Sequence, residues 1–219
     1  MIISPSILAC DFLNIESELK NLERIENLWL HLDIMDGHFV PNLTFGHPVV
    51  EMIAKITNIK LDAHLMVTNP EFYLETFQNY NIHNITFHLE STKDILSLIK
   101  KAKKIYPSVG ISLKPKSSEE LLTKELLSLV NLVLVMSVEP GFAGQKFIPE
   151  SIQRIERIKK LKKDLRLDFM IQVDGGVSDK NSKELKNAGA KNLVAGSYIF
   201  KKDGQSYSEK INSLRSSQK

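Results

Sequence analysis

The chain has 219 residues, of which 42% are hydrophobic and 25% are charged, and its formal net charge is +3 at pH 7. These values are ordinary for a globular protein, and we expect one domain over residues 1–219 with no nucleic-acid partner. The single cysteine, Cys10, excludes an internal disulfide and indicates a reducing compartment. The longest dense apolar run, residues 132–136, is too short to cross a bilayer, and no signal peptide is evident. We therefore predict a cytoplasmic protein without a membrane partner.

Short apolar runs alternate with amphipathic stretches along the whole chain. The predicted strands cover residues 3–8, 29–35, 61–67, 85–89, 109–113, 132–138, 169–173 and 193–195. Apolar residues at helical spacing mark the segments between them. The two clearest stripes are Phe12, Ile15, Leu19 and Leu22, and Ile152, Ile155, Ile158 and Leu161. Asp11 and Ser178 are the predicted N-caps of the first and seventh helices.

The order of these elements predicts the fold class. Eight strands that alternate with helices in 219 residues indicate an α/β fold with a parallel sheet. The count of eight favours a closed (β/α)8 TIM barrel, in a single domain, over an open doubly wound sheet. No Gly-x-Gly-x-x-Gly follows the first strand, which argues further against a dinucleotide-binding sheet.

Histidine and aspartate side chains cluster at the carboxyl ends of three predicted strands. His31 and Asp33 are two residues apart in the second strand and therefore share a face. His64 lies in the third strand, and Asp174 directly follows the seventh. The carboxyl ends of barrel strands form one mouth, where catalytic groups are found. Two imidazoles and two carboxylates there predict a divalent metal site, suited to Zn²⁺, Fe²⁺, Mn²⁺ or Co²⁺.

Glycines mark a second part of the same predicted site. Gly141 and Gly144 follow the sixth strand, Gly175 and Gly176 follow the seventh, and residues 196–197 follow the eighth. The loops after strands 7 and 8 are the recurrent phosphate site of such barrels, because backbone N–H groups can approach an oxyanion closely there. We predict that these loops hold a substrate phosphate while the sugar carbons reach toward the metal.

Five further side chains are expected at the mouth. His88 has no obvious metal partner, and Lys114 has no assigned role. Met35, Met66 and Met136 lie at strand ends, where methionine ordinarily fills a core. Our hypothesis is that the three thioethers form a polarisable floor beneath a planar reaction intermediate.

Six stretches of the sequence resemble the ribulose-phosphate 3-epimerase family. They are residues 4–8 (SPSIL), 31–42 (HLDIMDGHFVPN), 64–67 (HLMV), 135–145 (VMSVEPGFAGQ), 173–177 (VDGGV) and 196–197 (GS). The stretches run from the first predicted strand to the last, so the likeness covers essentially the whole chain. Two departures from the family pattern are Cys10, where Ala or Ser is common, and Ala143, where Gly is frequent.

The resemblance implies a metal-dependent isomerase that interconverts D-ribulose 5-phosphate and D-xylulose 5-phosphate in the pentose phosphate pathway. Carried over residue by residue, it makes Asp33 and Asp174 the catalytic acid/base pair. The implied metal ligands are His31, Asp33, His64 and Asp174. The implied substrate-binding residues are Ser6, His64, Gly141, Phe142, Ala143, Gly144, Asp174, Gly175, Gly176, Gly196 and Ser197. The family also implies a phosphorylated ketopentose as substrate and a homo-oligomeric state.

The sequence leaves three other interpretations to compare with this one. A related phosphoketose epimerase, notably allulose-6-phosphate 3-epimerase, would share the metal site and the loops, although residues 173–177 and Lys114-Pro115 look more like the pentulose enzyme. A barrel decarboxylase or aldol synthase of the orotidine-decarboxylase kind needs Asp-x-Lys-x-x-Asp at strand 3, where this chain has Asp62-Ala-His-Leu-Met66. A non-catalytic barrel is permitted by the fold alone, but the intact set of ligands disfavours it.

Overall fold

The structure is a computed structural model that describes residues 1–216. Its strands are β1 (Ile2–Pro5), β2 (Trp29–Met35), β3 (Lys60–Met66), β4 (Ile82–His88), β5 (Ser108–Leu113), β6 (Leu132–Met136), β7 (Met170–Asp174) and β8 (Asn192–Ala195). Its α-helices are α1 (Ile15–Glu23), α2 (His47–Ile56), α3 (Pro70–Thr76), α4 (Ile95–Ala102), α5 (Lys124–Leu127), α6 (Glu150–Asp164), α7 (Ser182–Ala188), α8 (Ser197–Phe200) and α9 (Tyr207–Arg215). Within residues 1–216, no helix is both long enough and apolar enough to cross a membrane.

All eight strands run parallel in the order β1-β8-β7-β6-β5-β4-β3-β2. The two ends of this order meet through isolated bridges that join Ile3 to Leu28 and Ser6 to His31. The sheet therefore closes almost completely into a barrel with the helices outside it. The predicted class, an α/β fold of the TIM-barrel type, is confirmed.

The largest differences from the predicted strand boundaries, three residues each, occur at the end of β1 and at the start of β4. β1 ends at Pro5, before the predicted end at residue 8, because the Ser6 hydroxyl accepts a hydrogen bond from the Leu8 N–H and begins a 3-10 turn. β4 begins at Ile82 and not at residue 85. Its early part was missed because Asn84 points into the barrel and breaks the apolar pattern, while its side chain donates to Asp62.

Both N-cap predictions were wrong in position. Asp11 caps a 3-10 turn over Phe12–Asn14, accepting from the Leu13 N–H at 3.2 Å, and α1 begins only at Ile15. Phe12 is consequently 46% exposed and lies outside the buried stripe of α1. Ser178 begins a turn in which its N–H donates to the Asn181 side chain at 2.9 Å, so α7 starts at Ser182 instead.

The barrel interior is layered because alternate residues of each strand point inward. An apolar layer at one end includes Trp29 and Leu132. The next layer toward the mouth is polar: the buried Asp62 carboxylate accepts hydrogen bonds from Asn84 at 2.7 Å and from Gln172 at 2.6 Å. This hydrogen-bonded layer forms a rigid support directly beneath the strand ends that carry the predicted site.

Gly110 of β5 occupies a position in this interior where no side chain fits. A Cβ atom there would lie 2.3 Å from Thr86 Oγ1 and 2.9 Å from Leu132 Cδ2. Because overpacking a close-packed core is destabilising, Gly110→Ala is expected to lower the free energy of unfolding by about 1–3 kcal/mol in urea titrations. Gly46→Ala is the control, since a Cβ atom there meets nothing within 4 Å. Equal urea midpoints for the two variants would contradict the prediction.

Candidate metal and active site

Four side chains converge at the mouth from β2, β3 and β7. The parallel register of β2 and β3 sets Asp33 beside His64, and Asp174 is the last residue of β7. One ligand atom from each of His31, Asp33, His64 and Asp174 lies within 4.8 Å of all the others. The structure thus brings together all four predicted metal ligands, although they are up to 143 residues apart in the chain (174 − 31).

The spacing of the ligand atoms fits a small cation. His31 Nε2 lies 3.5 Å from Asp33 Oδ1 and 3.8 Å from Asp174 Oδ2. His64 Nδ1 lies 3.4 Å and 3.7 Å from the same two oxygens. Ligand atoms about 2.0–2.2 Å from a tetrahedral ion are about 3.3–3.6 Å apart. These distances therefore match a cluster that could hold a divalent ion with little movement.

Two orphaned ring nitrogens face this cluster. His31 Nε2 and His64 Nδ1 are buried and have no hydrogen-bond partner among the described residues. The other nitrogen of His31, Nδ1, lies 2.8 Å from Asp62 Oδ2, so this carboxylate holds a proton on Nδ1 and orients Nε2 toward the cluster. A buried polar atom without a partner is costly unless a ligand completes it. The nitrogens and the two carboxylates together fit a divalent cation.

Asp62 is a site residue that the sequence analysis left without a role. It lies two positions before His64 in β3, and its register partner in β2 is His31. Side chains in a strand alternate between its two faces, so the sequence was enough to predict that Asp62 points into the barrel, one layer below His64. The contact with the His31 ring depends on the pairing of β2 with β3, which the local pattern does not reveal.

The two aspartates of the cluster differ in their electrostatic surroundings. Burial by itself would raise the pKa of Asp33, but the neighbouring His31 and His64 hold it well below its usual range. Asp33 also accepts a hydrogen bond from the Ser6 hydroxyl at 2.6 Å. Burial and the charge of Asp33 raise the pKa of Asp174 to about 7. Two carboxylates this close repel each other, and a cation between them would remove that repulsion.

A cavity opens above the cluster, and its walls come from the loops that follow the strands. The lining includes every predicted substrate-binding residue except His64: Ser6, Gly141, Phe142, Ala143, Gly144, Asp174, Gly175, Gly176, Gly196 and Ser197. His64 is completely buried below the cavity. Met35, Met66 and Met136 also line it, although each is at most 3% exposed. Whether these residues contact substrate stays a prediction.

The glycine pair after β7 is required by the backbone itself. Gly175 and Gly176 have φ angles of +120° and +63°. A Cβ atom on Gly175 would lie 2.8 Å from the Val138 N, and one on Gly176 would lie 2.7 Å from the Phe147 N. The loop can pack this tightly around the cavity only with glycine at both positions.

Cys10, which packs against the hydrophobic core, is expected to be unreactive. Burial, together with the carboxylates of Glu18 and Asp11, raises the pKa of its thiol to about 12. Because the thiolate is the nucleophile, alkylation by iodoacetamide at pH 8 should be slower than for free cysteine by on the order of 10³-fold. Mass spectrometry of a time course measures this rate, and the urea-unfolded chain is the control. Equal rates for the folded and unfolded chains would contradict the prediction.

The fold and the site define a class of protein, a (β/α)8-barrel enzyme with a candidate His/Asp metal centre beneath a glycine-lined cavity. Residues 2–200 match the ribulose-phosphate 3 epimerase family. The chain belongs to this family, and it is an isomerase.

Known relatives agree with this assignment, and a solved structure shares the fold. The chain is 40% identical to the ribulose-phosphate 3-epimerase of Helicobacter pylori over 218 residues, which cover 99% of each chain. It is 45% identical to the cytoplasmic isoform of Oryza sativa over 204 residues, 90% of this chain and 86% of that protein. The tryptophan synthase A-subunit of Pyrococcus furiosus has a TM-score of 0.69 at 16% identity, covering 98% of this chain and 97% of that one. This last likeness shows the fold alone.

Proposed function

We propose that this protein interconverts D-ribulose 5-phosphate and D-xylulose 5-phosphate by inverting the configuration at C3. The observation that carries the proposal is the cluster of His31, Asp33, His64 and Asp174, whose ligand atoms lie within 4.8 Å of one another at the floor of the cavity. We further propose that residues 1–219 form one catalytic domain, which acts in the cytoplasm as a homo-oligomer.

The four residues of the cluster would hold one divalent ion, Zn²⁺, Fe²⁺, Mn²⁺ or Co²⁺. His31 and His64 would bind through the orphaned nitrogens, Nε2 and Nδ1 respectively. Such an ion, when bound, supplies a Lewis acid that stabilises negative charge on the C2 and C3 oxygens of the substrate. The family assignment and the donor set support this proposal.

Asp33 and Asp174 are proposed as the two acid/base groups. The C3 proton is acidic because C3 lies next to the C2 ketone, and its removal gives an enediolate. Inversion requires that one carboxylate removes the proton from one face and that the other returns a proton to the opposite face. One carboxylate must start ionised and the other protonated. Asp33 and Asp174 belong to two different strands, β2 and β7, and we propose that they act on opposite faces of the substrate.

The phosphate end is proposed to bind among the loops that follow β6, β7 and β8. The residues assigned to it are Gly141, Phe142, Ala143, Gly144, Gly175, Gly176, Gly196 and Ser197. Glycine lets the backbone approach an oxyanion closely. Ser6 and His64 are proposed to contact the sugar, Ser6 through the hydroxyl that now donates to Asp33.

The test is a comparison of two substrates, with isotope exchange as a second measurement. We expect a higher kcat/KM for D-ribulose 5-phosphate than for D-allulose 6-phosphate, and incorporation of deuterium at C3 when the reaction runs in D₂O. A higher kcat/KM for the hexulose phosphate would assign the protein to the alternative, allulose-6-phosphate 3-epimerase. Turnover without any deuterium at C3 would contradict the proton-transfer mechanism.

A further inference from the structure

A second histidine lies behind His64, on the side away from the metal cluster. His88 is the last residue of β4, its side chain is completely buried, and its Nε2 lies 2.9 Å from the Nε2 of His64. Two ring nitrogens at this distance share one proton, so one ring donates and the other accepts. The direction of this hydrogen bond decides which nitrogen of His64 carries a lone pair toward the cluster.

The position of Glu90 favours one direction of the hydrogen bond between His64 and His88. Its Oε2 lies 3.3 Å from the buried Nδ1 of His88, a nitrogen that has no hydrogen-bond partner in the part of the chain that the structure describes. Its Oε1 accepts hydrogen bonds from the Lys114 N–H at 2.9 Å and from the Ser117 hydroxyl, so the loop after β5 holds the carboxylate in place.

The Glu90 carboxylate favours the proton on His88 Nδ1. The carboxylates nearest to His64 Nδ1, Asp33 and Asp174 at 3.4 and 3.7 Å, would instead be engaged by the proposed cation. His88 then presents the lone pair of Nε2 to His64, and His64 must donate from its own Nε2.

The two imidazole rings in this chain of contacts are completely buried, whereas the Glu90 side chain is 23% exposed. The Phe39 ring lies over His88, with the ring centroids 5.0 Å apart. The Lys114 ammonium lies 4.0 Å from the centroid of the same Phe39 ring, which holds the ring in place by a cation–π contact. Hydrogen bonds are stronger in such a dry environment than in water. Lys114 and His88, which the sequence analysis left without a role, therefore belong to one arrangement.

We propose that Glu90 and His88 are positioning residues that fix His64 in the tautomer with its proton on Nε2, so that the Nδ1 lone pair points at the cation position. This inference rests on the proposed metal-dependent function. Asp62 orients His31 by a single contact, at 2.8 Å. Glu90 orients His64 through the intervening ring of His88. Each metal-ligating histidine thus has its own carboxylate on the side away from the cluster.

Zn²⁺ affinity is the first test, measured on the full chain by competition with a chromogenic chelator. His88→Phe keeps the ring shape but removes both nitrogens, and Glu90→Gln removes the charge. Both variants should bind Zn²⁺ about 10- to 100-fold more weakly than the unmodified protein. His88→Gln can still accept from His64 and should recover most of the affinity. His83→Phe, at the other end of β4, is the matched control and should leave the affinity unchanged.

The tautomers can be read separately, by ¹⁵N NMR of histidine-labelled, metal-free protein. We expect the proton of His64 on Nε2 and that of His88 on Nδ1. A proton on His64 Nδ1, or an unchanged Zn²⁺ affinity in both His88→Phe and Glu90→Gln, would overturn the inference. If the unmodified protein has these tautomers but binds no Zn²⁺, the orientation of His64 is supported and the proposed metal function is overturned. Failure of the inference and failure of the proposed function are therefore distinguishable.

Discussion

Replacing Asp174 with asparagine is expected to lower kcat/KM for D-ribulose 5-phosphate by about 10²- to 10⁴-fold. An amide can neither remove the C3 proton nor return one, and it is a weaker ligand for a divalent ion than a carboxylate. The fold should survive, because the amide has nearly the same shape and the residue lies at the end of β7 beside the cavity. Steady-state kinetics measures the loss of turnover, and thermal unfolding checks the fold.

The matched control for this variant is Asp179→Asn. Asp179 is an exposed carboxylate five residues further along the chain (179 − 174), and its replacement should leave turnover unchanged. Near-normal turnover in Asp174→Asn would refute the assignment of Asp174 as one of the two acid/base groups. Metal analysis of the purified variant separates loss of the proton-transfer group from loss of the ion.

Removal of the metal is expected to abolish turnover and to destabilise the barrel. Without an ion, Asp33 and Asp174 repel each other across a buried cluster, and two ring nitrogens stay unsatisfied. An ion present at 1,000 times its Kd stabilises the folded state by about 4 kcal/mol, because the unfolded chain does not hold the site together. We therefore expect dialysis against a chelator to lower the free energy of unfolding by a comparable amount, and added Zn²⁺, Fe²⁺, Mn²⁺ or Co²⁺ to restore activity.

Turnover assays and urea unfolding on the same samples measure both effects. His31→Gln is the control, because it lacks one predicted ligand and should show much smaller responses to the chelator and to added metal. Full turnover by protein that metal analysis shows to be free of divalent ions would rule out a metal-dependent mechanism. The ion that restores the highest kcat/KM would be the best candidate for the physiological metal.

The amino-acid sequence was sufficient to predict the barrel and the four candidate ligands. Both predictions depend on local patterns, since apolar runs alternate with amphipathic segments and residues two apart in a strand share a face. His31 and Asp33 could therefore be placed on one face without knowledge of any neighbour. The carboxyl ends of all barrel strands meet at one mouth, so assigning His64 and Asp174 to strand ends was enough to bring them together.

Only the tertiary structure showed what holds these ligands in place. Asp62 contacts His31 because β2 and β3 pair in a particular register, and His88 contacts His64 because β3 and β4 pair in another. Glu90 is held by a loop that follows a different strand, β5. Register and loop packing are set by interactions between segments distant in the chain, whereas the periodicity of a strand is a property of the strand itself. The sequence therefore determined which residues face the mouth, and the packing of the strands decided which of them touch.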